Sequence, residues 1–218
     1  MKIRWTRLSL ICGVLLAMAP ASARADSFQD TVRSIIRKVG VHGDMSFRKP
    51  MDPDVTRGTS FGPSVGLSPG RSNGWKYPVS LSLISEDLHG PNGMQFGTVR
   101  SRALLAGVGY GWHFGQLAVG PDIQVGYSFN RHDMTGNASD AFDAAGPVTM
   151  DVGNSWILRP ALKAEYFITP KITFRTSVDY VWMEPTVTVT TPTGVFDNQW
   201  GMSNMHARIG FAVYPFRK

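Results

Sequence analysis

The stretch Leu117–Phe129 constrains this chain more than any other. Leu117, Val119, Pro121, Ile123, Val125, Tyr127 and Phe129 occupy one parity; Gln116, Ala118, Gly120, Asp122, Gln124, Gly126 and Ser128 occupy the other. Successive side chains point to opposite faces only in a strand, so a helix cannot sort these residues this way. The segment is therefore a long strand with one apolar face and one polar, small-residue face. Strands of this kind leave unpaired backbone at every open edge, so a set of them must close or be covered.

The same sorting recurs along the chain. Trp156, Leu158, Pro160, Leu162, Ala164 and Tyr166 oppose Arg159, Lys163 and Glu165, and Ile172, Phe174, Val178, Tyr180 and Trp182 oppose Thr173, Arg175, Ser177 and Asp179. Trp75 to Leu83, Phe61 to Leu67, Leu104 to Trp112 and Met205 to Val213 alternate likewise, with Leu105 an exception on the small-residue face. Val41 to Arg48 is the faintest, with Met45 and Phe47 opposing His42, Asp44 and Arg48. These are eight candidate strands, an even number that closes without an edge. Most are long enough to cross a bilayer at a tilt, which takes about 9–11 residues.

The amino terminus sets the compartment. Lys2, Arg4 and Arg7 precede an apolar run from Leu8 to Ala19, and Ala23-Arg24-Ala25 has the small-x-small form of a cleavage site. Residues 1–25 thus read as a secretory signal peptide, too short in its apolar part to anchor a membrane. The single cysteine, Cys12, lies within it, which leaves the mature chain no disulfide and no cysteine metal site. The net charge of +6 falls to near +2 once Lys2, Arg4, Arg7 and Arg24 are removed. That bias is too weak to argue for nucleic acid. Residues 26–40 read as a short amphipathic helix: Phe28, Val32, Ile35 and Ile36 recur at three- and four-residue spacing and Gly40 ends it. Such a helix either plugs the barrel base or lies in the membrane interface. Residues 41–218 form the barrel.

Alternation alone does not say which face turns inward, since a soluble lipocalin-like barrel keeps its apolar face inside. Three features point to the inverse arrangement. The polar faces are rich in Gly, Ala and Ser, as a lumen only wide enough for side chains requires. Aromatics (Trp75, Tyr77, Tyr110, Trp112, Tyr127, Phe129, Trp156, Tyr180 and Trp182) sit at the ends of the apolar stripes, as interfacial belts do. Short turns at 68–74, Gly115 and Thr169-Pro170 alternate with long connections at 49–57, 86–96, 132–153 and 184–203. The count places both chain ends on the short-turn side.

In these respects the chain resembles the small outer-membrane β-barrel proteins that include the OmpA transmembrane domain, OmpX and the opacity-type surface proteins. The likeness covers nearly all of the mature chain and rests on pattern. It departs at the carboxyl end, where Tyr214-Pro215-Phe216 is followed by Arg217-Lys218 rather than ending in an aromatic residue. The resemblance implies an all-β, eight-stranded antiparallel transmembrane barrel in the bacterial outer membrane. It would be a monomer amid outer-membrane lipid and lipopolysaccharide, with a structural or surface-interaction role through its extracellular loops and a ligand met there. A narrow transport barrel for small or hydrophobic solutes is the alternative, and a lipid-modifying enzyme a more distant one.

The inward parity carries His42, Asp44, Arg48, Lys76, Asp122, Arg159, Lys163, Glu165, Arg175, Asp179, His206 and Arg208. An unpaired buried ion is very costly, so in a narrow lumen these charges must pair, either as a closed plug or along a gated polar path. Catalytic candidates are thin. The His132-Asp133 pair, Ser139 in the following loop and His113 near a turn share no convincing nucleophile–base spacing. Asp140, Asp143 and Asp151 lack a calcium-loop spacing. The expectation is no catalytic residue, no metal and no cofactor. Arg100, Arg102 and Arg131 fall near the outer rim, where lipid A phosphates would sit or where solvent alone would explain them.

Overall fold

The computed structural model describes residues 39–51, 60–69, 73–89, 95–134 and 148–215. The signal peptide, the amphipathic helix up to Lys38, Ser139, Asp140, Asp143 and Phe216 lie outside the described residues.

The strands are β1 (Val39–Pro50), β2 (Ser60–Pro69), β3 (Gly74–Lys76), β4 (Val79–His89), β5 (Gln95–Phe114) and β6 (Leu117–Met134), followed by β7 (Thr149–Val152), β8 (Ser155–Phe167), β9 (Ile172–Met183), β10 (Thr186–Thr191), β11 (Gly194–Gln199) and β12 (Asn204–Val213). Every pairing is antiparallel. Following the ladder, β1 pairs β2, β2 pairs β4, β4 pairs β5, β5 pairs β6, β6 pairs β8, β8 pairs β9, β9 pairs β12, and β12 returns to β1. This is a closed barrel of eight staves, with β3 and β4 forming one stave on either side of Tyr77-Pro78. Pro78 has no N–H to give the ladder, yet its carbonyl still accepts from Gly107 N at 3.0 Å.

Local chemistry explains the tight end. Gly115 adopts φ +62° in the two-residue turn between Phe114 and Leu117. A glycine at the first turn position suits the hairpin geometry that matches strand twist. At the turn between β8 and β9, Thr169 Oγ1 accepts from Lys171 N (3.2 Å) and Ile172 N (3.0 Å), tying the turn through its own side chain. Val41 pairs Val213, so both ends of the described barrel lie at this short-turn end.

At the opposite end the wall rises unevenly. β5 and β6 run 20 and 18 residues, well beyond a bilayer crossing. The strands β7, β10 and β11 form a separate three-stranded sheet in the order β11-β10-β7, continuing the β8, β9 and β12 staves. Parts of the connections read from sequence as loops, 86–96, 132–153 and 184–203, are therefore strand. On β10 Thr186, Thr188 and Thr190 face outward while Val187 and Val189 face the interior, so the apolar parity there is the inward one, the reverse of the staves below.

The outward face carries the apolar residues. Leu104 is 56% exposed, Leu162 63%, Trp75 67% and Trp156 71%. Two aromatic belts bracket this surface. Near the turns, Trp75 packs edge-on against Tyr110 at 5.5 Å, and Phe174 against Phe211 at 5.6 Å. Toward the loops, Tyr127 packs against both Phe129 and Trp156 at 5.4 Å. The polar tips are engaged: Trp182 Nε1 donates to Glu184 at 2.7 Å and Tyr166 hydroxyl to Gln116 at 2.7 Å. A ring with an apolar body and a satisfied polar tip is what an interface favours.

Candidate functional site: a layered lumen

The interior is stratified along the barrel axis, and each layer follows from what the inward parity of each strand holds at that height.

The layer at the turns is aromatic and small. Ala118, Phe167, Ala212 and Tyr214 are buried together, with the His113 ring 5.6 Å from that of Phe167. Tyr214 is held by its amide, which donates to Lys171 O at 2.8 Å. A side chain at Gly40 would strike the Tyr214 ring, so the tyrosine fits there only against glycine.

Above it lies the charged layer. His42, Arg48, Asp122, Arg159, Glu165, Arg175, Asp179, His206 and Arg208 are buried, and Asp44, Lys76 and Lys163 are half-buried. Arg175 reaches Glu165 (3.0 Å) on the neighbouring stave and, over Gly210 of β12, Asp44 (3.7 Å) on β1. Lys76 approaches Glu165 at 3.9 Å, and Lys163 pairs with Asp122. Arg208 contacts Asp179 at 2.8 Å, with His206 3.5 Å from the same carboxylate. His42 stands 3.5 Å from Asp44. Among the described residues Arg159 has no direct carboxylate; its guanidinium donates to Gln124 and to Ser80 (2.9 Å), and Gln124 in turn donates to Asp122 (3.1 Å). The glycines make room for these long side chains. A Cβ at Gly111 would sit 2.6 Å from Lys76 Cε, and one at Gly66 2.7 Å from His42 Cε1.

Two cavities remain in this layer, of about 20 and 40 Å³. The first is lined by His42, Asp44, Arg159, Asp179 and Arg208, the second by Lys76, Asp122, Lys163 and Glu165. Each has room for about one to three waters, not for a solute. His42 Nδ1 and Asp122 Oδ1 have no hydrogen-bond partner among the described residues, which suits a water in each cavity.

The layer at the loops is apolar, and sequence reasoning missed it. Leu88, Val99, Ala103, Leu105, Val152, Ile157, Val181, Met183, Val187 and Met202 form one buried cluster, with Met150, Val189 and Trp200 packed against it. Arg48 and Glu86 also face inward on the loop side, Glu86 directly opposite Val99 of the cluster: Arg48 Nη2 donates to Leu83 O at 2.7 Å, and Asn204 Nδ2 to Glu86 at 2.7 Å. The available signal was a run of apolar residues on both parities near the loop ends, as in Leu104-Leu105, Trp156-Ile157-Leu158 and Val181-Trp182-Met183.

The catalytic candidates do not come together. His132 and Asp133 stand on opposite faces of β6, inward and outward, and so form no dyad. Among the described residues no group of three His, Cys, Asp or Glu side chains is placed to hold a metal ion.

No family model matches the sequence, and no curated protein matches it. Solved structures do. The outer membrane protein OprG from Pseudomonas aeruginosa is 14% identical, with a TM-score of 0.67 over 80% of this chain and 94% of that one. Neisserial surface protein A is 14% identical, with a TM-score of 0.54 over 81% and 97%. The outer membrane protein AlkL, solved in lipid bilayers, is 11% identical, with a TM-score of 0.54 over 81% and 90%. Each spans nearly the same barrel, and the shared feature is the fold: the chain is a small, eight-stranded β-barrel of the outer-membrane type.

Proposed function

We propose that this chain is a non-enzymatic barrel of the bacterial outer membrane, delivered there by its signal peptide, whose lumen is closed and whose working end is the loop side. The carrying observation is the charged layer: ion pairs run from stave to stave, and the space left between them measures about 20 and 40 Å³. A layer that admits only a few waters obstructs hydrated solutes while cross-bracing the wall. The part that varies in shape is the uneven rim raised by β5, β6 and the β7-β10-β11 sheet, where Val195 and Phe196 are exposed. A surface or structural role, with a ligand met at that rim, fits this distribution, and the barrel acts as a monomer. Planar-bilayer recordings of the refolded protein test it: absent or rare, brief openings are expected, and a large steady conductance defeats the closed-lumen reading.

The apolar loop-side layer favours one second reading, a narrow barrel that takes small hydrophobic solutes. The cluster faces the lumen, not the lipid, and three of its inward residues are methionines (Met150, Met183 and Met202), a side chain that repacks readily around varied shapes. Uptake of an apolar probe into cells carrying the protein, lost in Leu105→Asp and unchanged in Phe196→Ala, would favour transport over a rim-centred role.

A further inference from the structure

The geometry points to a binding site for a phosphate-bearing lipid headgroup on the outer wall, formed by Arg100, Arg102 and Arg131. All three face outward on the adjacent strands β5 and β6. Arg100 lies directly opposite Arg131, and Arg102 directly opposite Phe129. Like charges facing each other across a strand pair repel, so this placement opposes folding unless an anion offsets it. Among the described residues little of that anion is supplied. Asp133 is shared: its carboxylate lies 3.4 Å from Arg100 Nε and 3.2 Å from Arg131 Nε, and both arginine side chains stay largely exposed. Asp87, the next carboxylate on this face, accepts a hydrogen bond from Thr98 hydroxyl at 2.7 Å. Arg102 has no ion-pair partner among the described residues. Among the described residues two of the three cations thus share one carboxylate and the third has none.

The height of the triad identifies the anion. Level with Arg102 on the same face are Leu83 and Phe129, and one step below are Leu104 and Trp156, all exposed and apolar. Immediately above are Asp87, Thr98 and Asp133. The arginines therefore stand at the boundary between the aromatic belt and the loop side, the depth at which the headgroups of the loop-side leaflet lie. A planar guanidinium matches a phosphate with paired donors, and the acyl chains beneath would lie along the exposed apolar stripe. A soluble anion would meet the same charges but gain nothing from that stripe.

This inference rests on the outer-membrane reading above, and the test separates the two. The full mature chain is refolded into nanodiscs of phosphatidylcholine doped with bisphosphorylated lipid A, with dephosphorylated lipid A, or with neither. Folding is scored by the gel shift on boiling, and retained lipid by native mass spectrometry. Selective retention of the phosphorylated lipid is expected. It should fall by about fivefold for each arginine removed, and by roughly a hundredfold in R100Q/R102Q/R131Q. Asp133→Asn, which removes the competing carboxylate, should retain the lipid more tightly. R102Q alone removes a side chain with no partner to lose, and so stands in should the triple variant not fold. Equal retention of dephosphorylated lipid A by the folded wild type overturns the site. So does displacement by millimolar inorganic pyrophosphate as complete as that by the phosphorylated lipid. A chain that never folds into any nanodisc overturns the membrane reading beneath it.

Discussion

Replacing Asp179 by alanine tests whether the lumen is dry. Asp179 is 3% exposed and lies 2.8 Å from Arg208 Nε. Six Lys or Arg side chains (Arg48, Lys76, Arg159, Lys163, Arg175, Arg208) and five Asp or Glu side chains (Asp44, Glu86, Asp122, Glu165, Asp179) face the interior among the described residues, so the change leaves six cations against four anions. Arg208 would keep only Ser64 at 3.4 Å, Ser82 at 3.5 Å and the neutral acceptor on His206 at 3.0 Å. Removing one partner of a buried pair costs about 3–5 kcal/mol, because the other charge is left without compensation. The small cavity that Asp179 and Arg208 both line holds about one water, which would solvate part of the guanidinium and bring the expectation to ~3 kcal/mol. Asp179→Asn keeps an acceptor in place and should cost ~1–2 kcal/mol. The double variant D179A/R208M leaves no orphaned charge and should be more stable than D179A alone. Urea unfolding in lipid vesicles, followed by tryptophan fluorescence, measures all three, with the gel shift on boiling as the check on folding. A loss under about 1 kcal/mol for D179A, with D179A/R208M no more stable than D179A, is the signature of a solvated pair. That result would mean a water-filled lumen, and the closed-plug reading would fail with it.

Other positions probe the remaining layers. Gly62→Val should abolish the heat-modifiable band, because a side chain there meets both the Arg48 guanidinium and the Leu83 carbonyl. Ile123→Arg, on the outward face between the two belts, should destabilise the barrel in vesicles by ~2–4 kcal/mol, whereas Trp75→Arg near the turns should cost about 0–1 kcal/mol; equal costs would contradict the outward-apolar assignment. Met183→Lys places a charge inside the loop-side cluster, where Met183 is 1% exposed, and should lower the urea midpoint without changing the gel shift. A midpoint equal to wild type would show that the layer is already wet.

The parity of every stave was readable because a period of two is short and a membrane barrel enforces it on both faces. His42, Gln124, Arg159 and Arg208 point inward for the same reason that Val41, Val125, Leu158 and Ile209 point outward. What parity cannot give is the partner. Arg175 meets Asp44, more than a hundred residues away in sequence, over Gly210 of β12, and that encounter depends on the ring closing through β12 in the register that pairs Gly210 with both. The loop-side apolar layer was hidden for a different reason. Where Leu104 is followed by Leu105, or Trp182 by Met183, both faces are apolar, and a single parity exception reads as noise. The β10–β11 hairpin was obscured because Thr186, Thr188 and Thr190 face outward and the short apolar parity of Val187 and Val189 faces the interior, the reverse of the membrane staves.

The layering bears on function through the direction it imposes. A soluble barrel with an apolar interior would bind its ligand at the centre; here the centre is where Arg175, Glu165 and Asp44 are packed, and the apolar interior is displaced to the loop end. Anything hydrophobic that enters from the loop side meets Leu88, Val99 and Val187 with Glu86 among them, and deeper in Leu105, which lies opposite the Ser80 that Arg159 holds, at the edge of the charged layer. Moving an apolar solute onward through that charged layer would require separating ion pairs with only one to three waters on hand to solvate them, a large cost for a barrel with no energy source of its own. Closure at the centre and adhesion or capture at the rim therefore go together. Both proposed roles place the working surface above the aromatic belt, on the same side as the arginine triad.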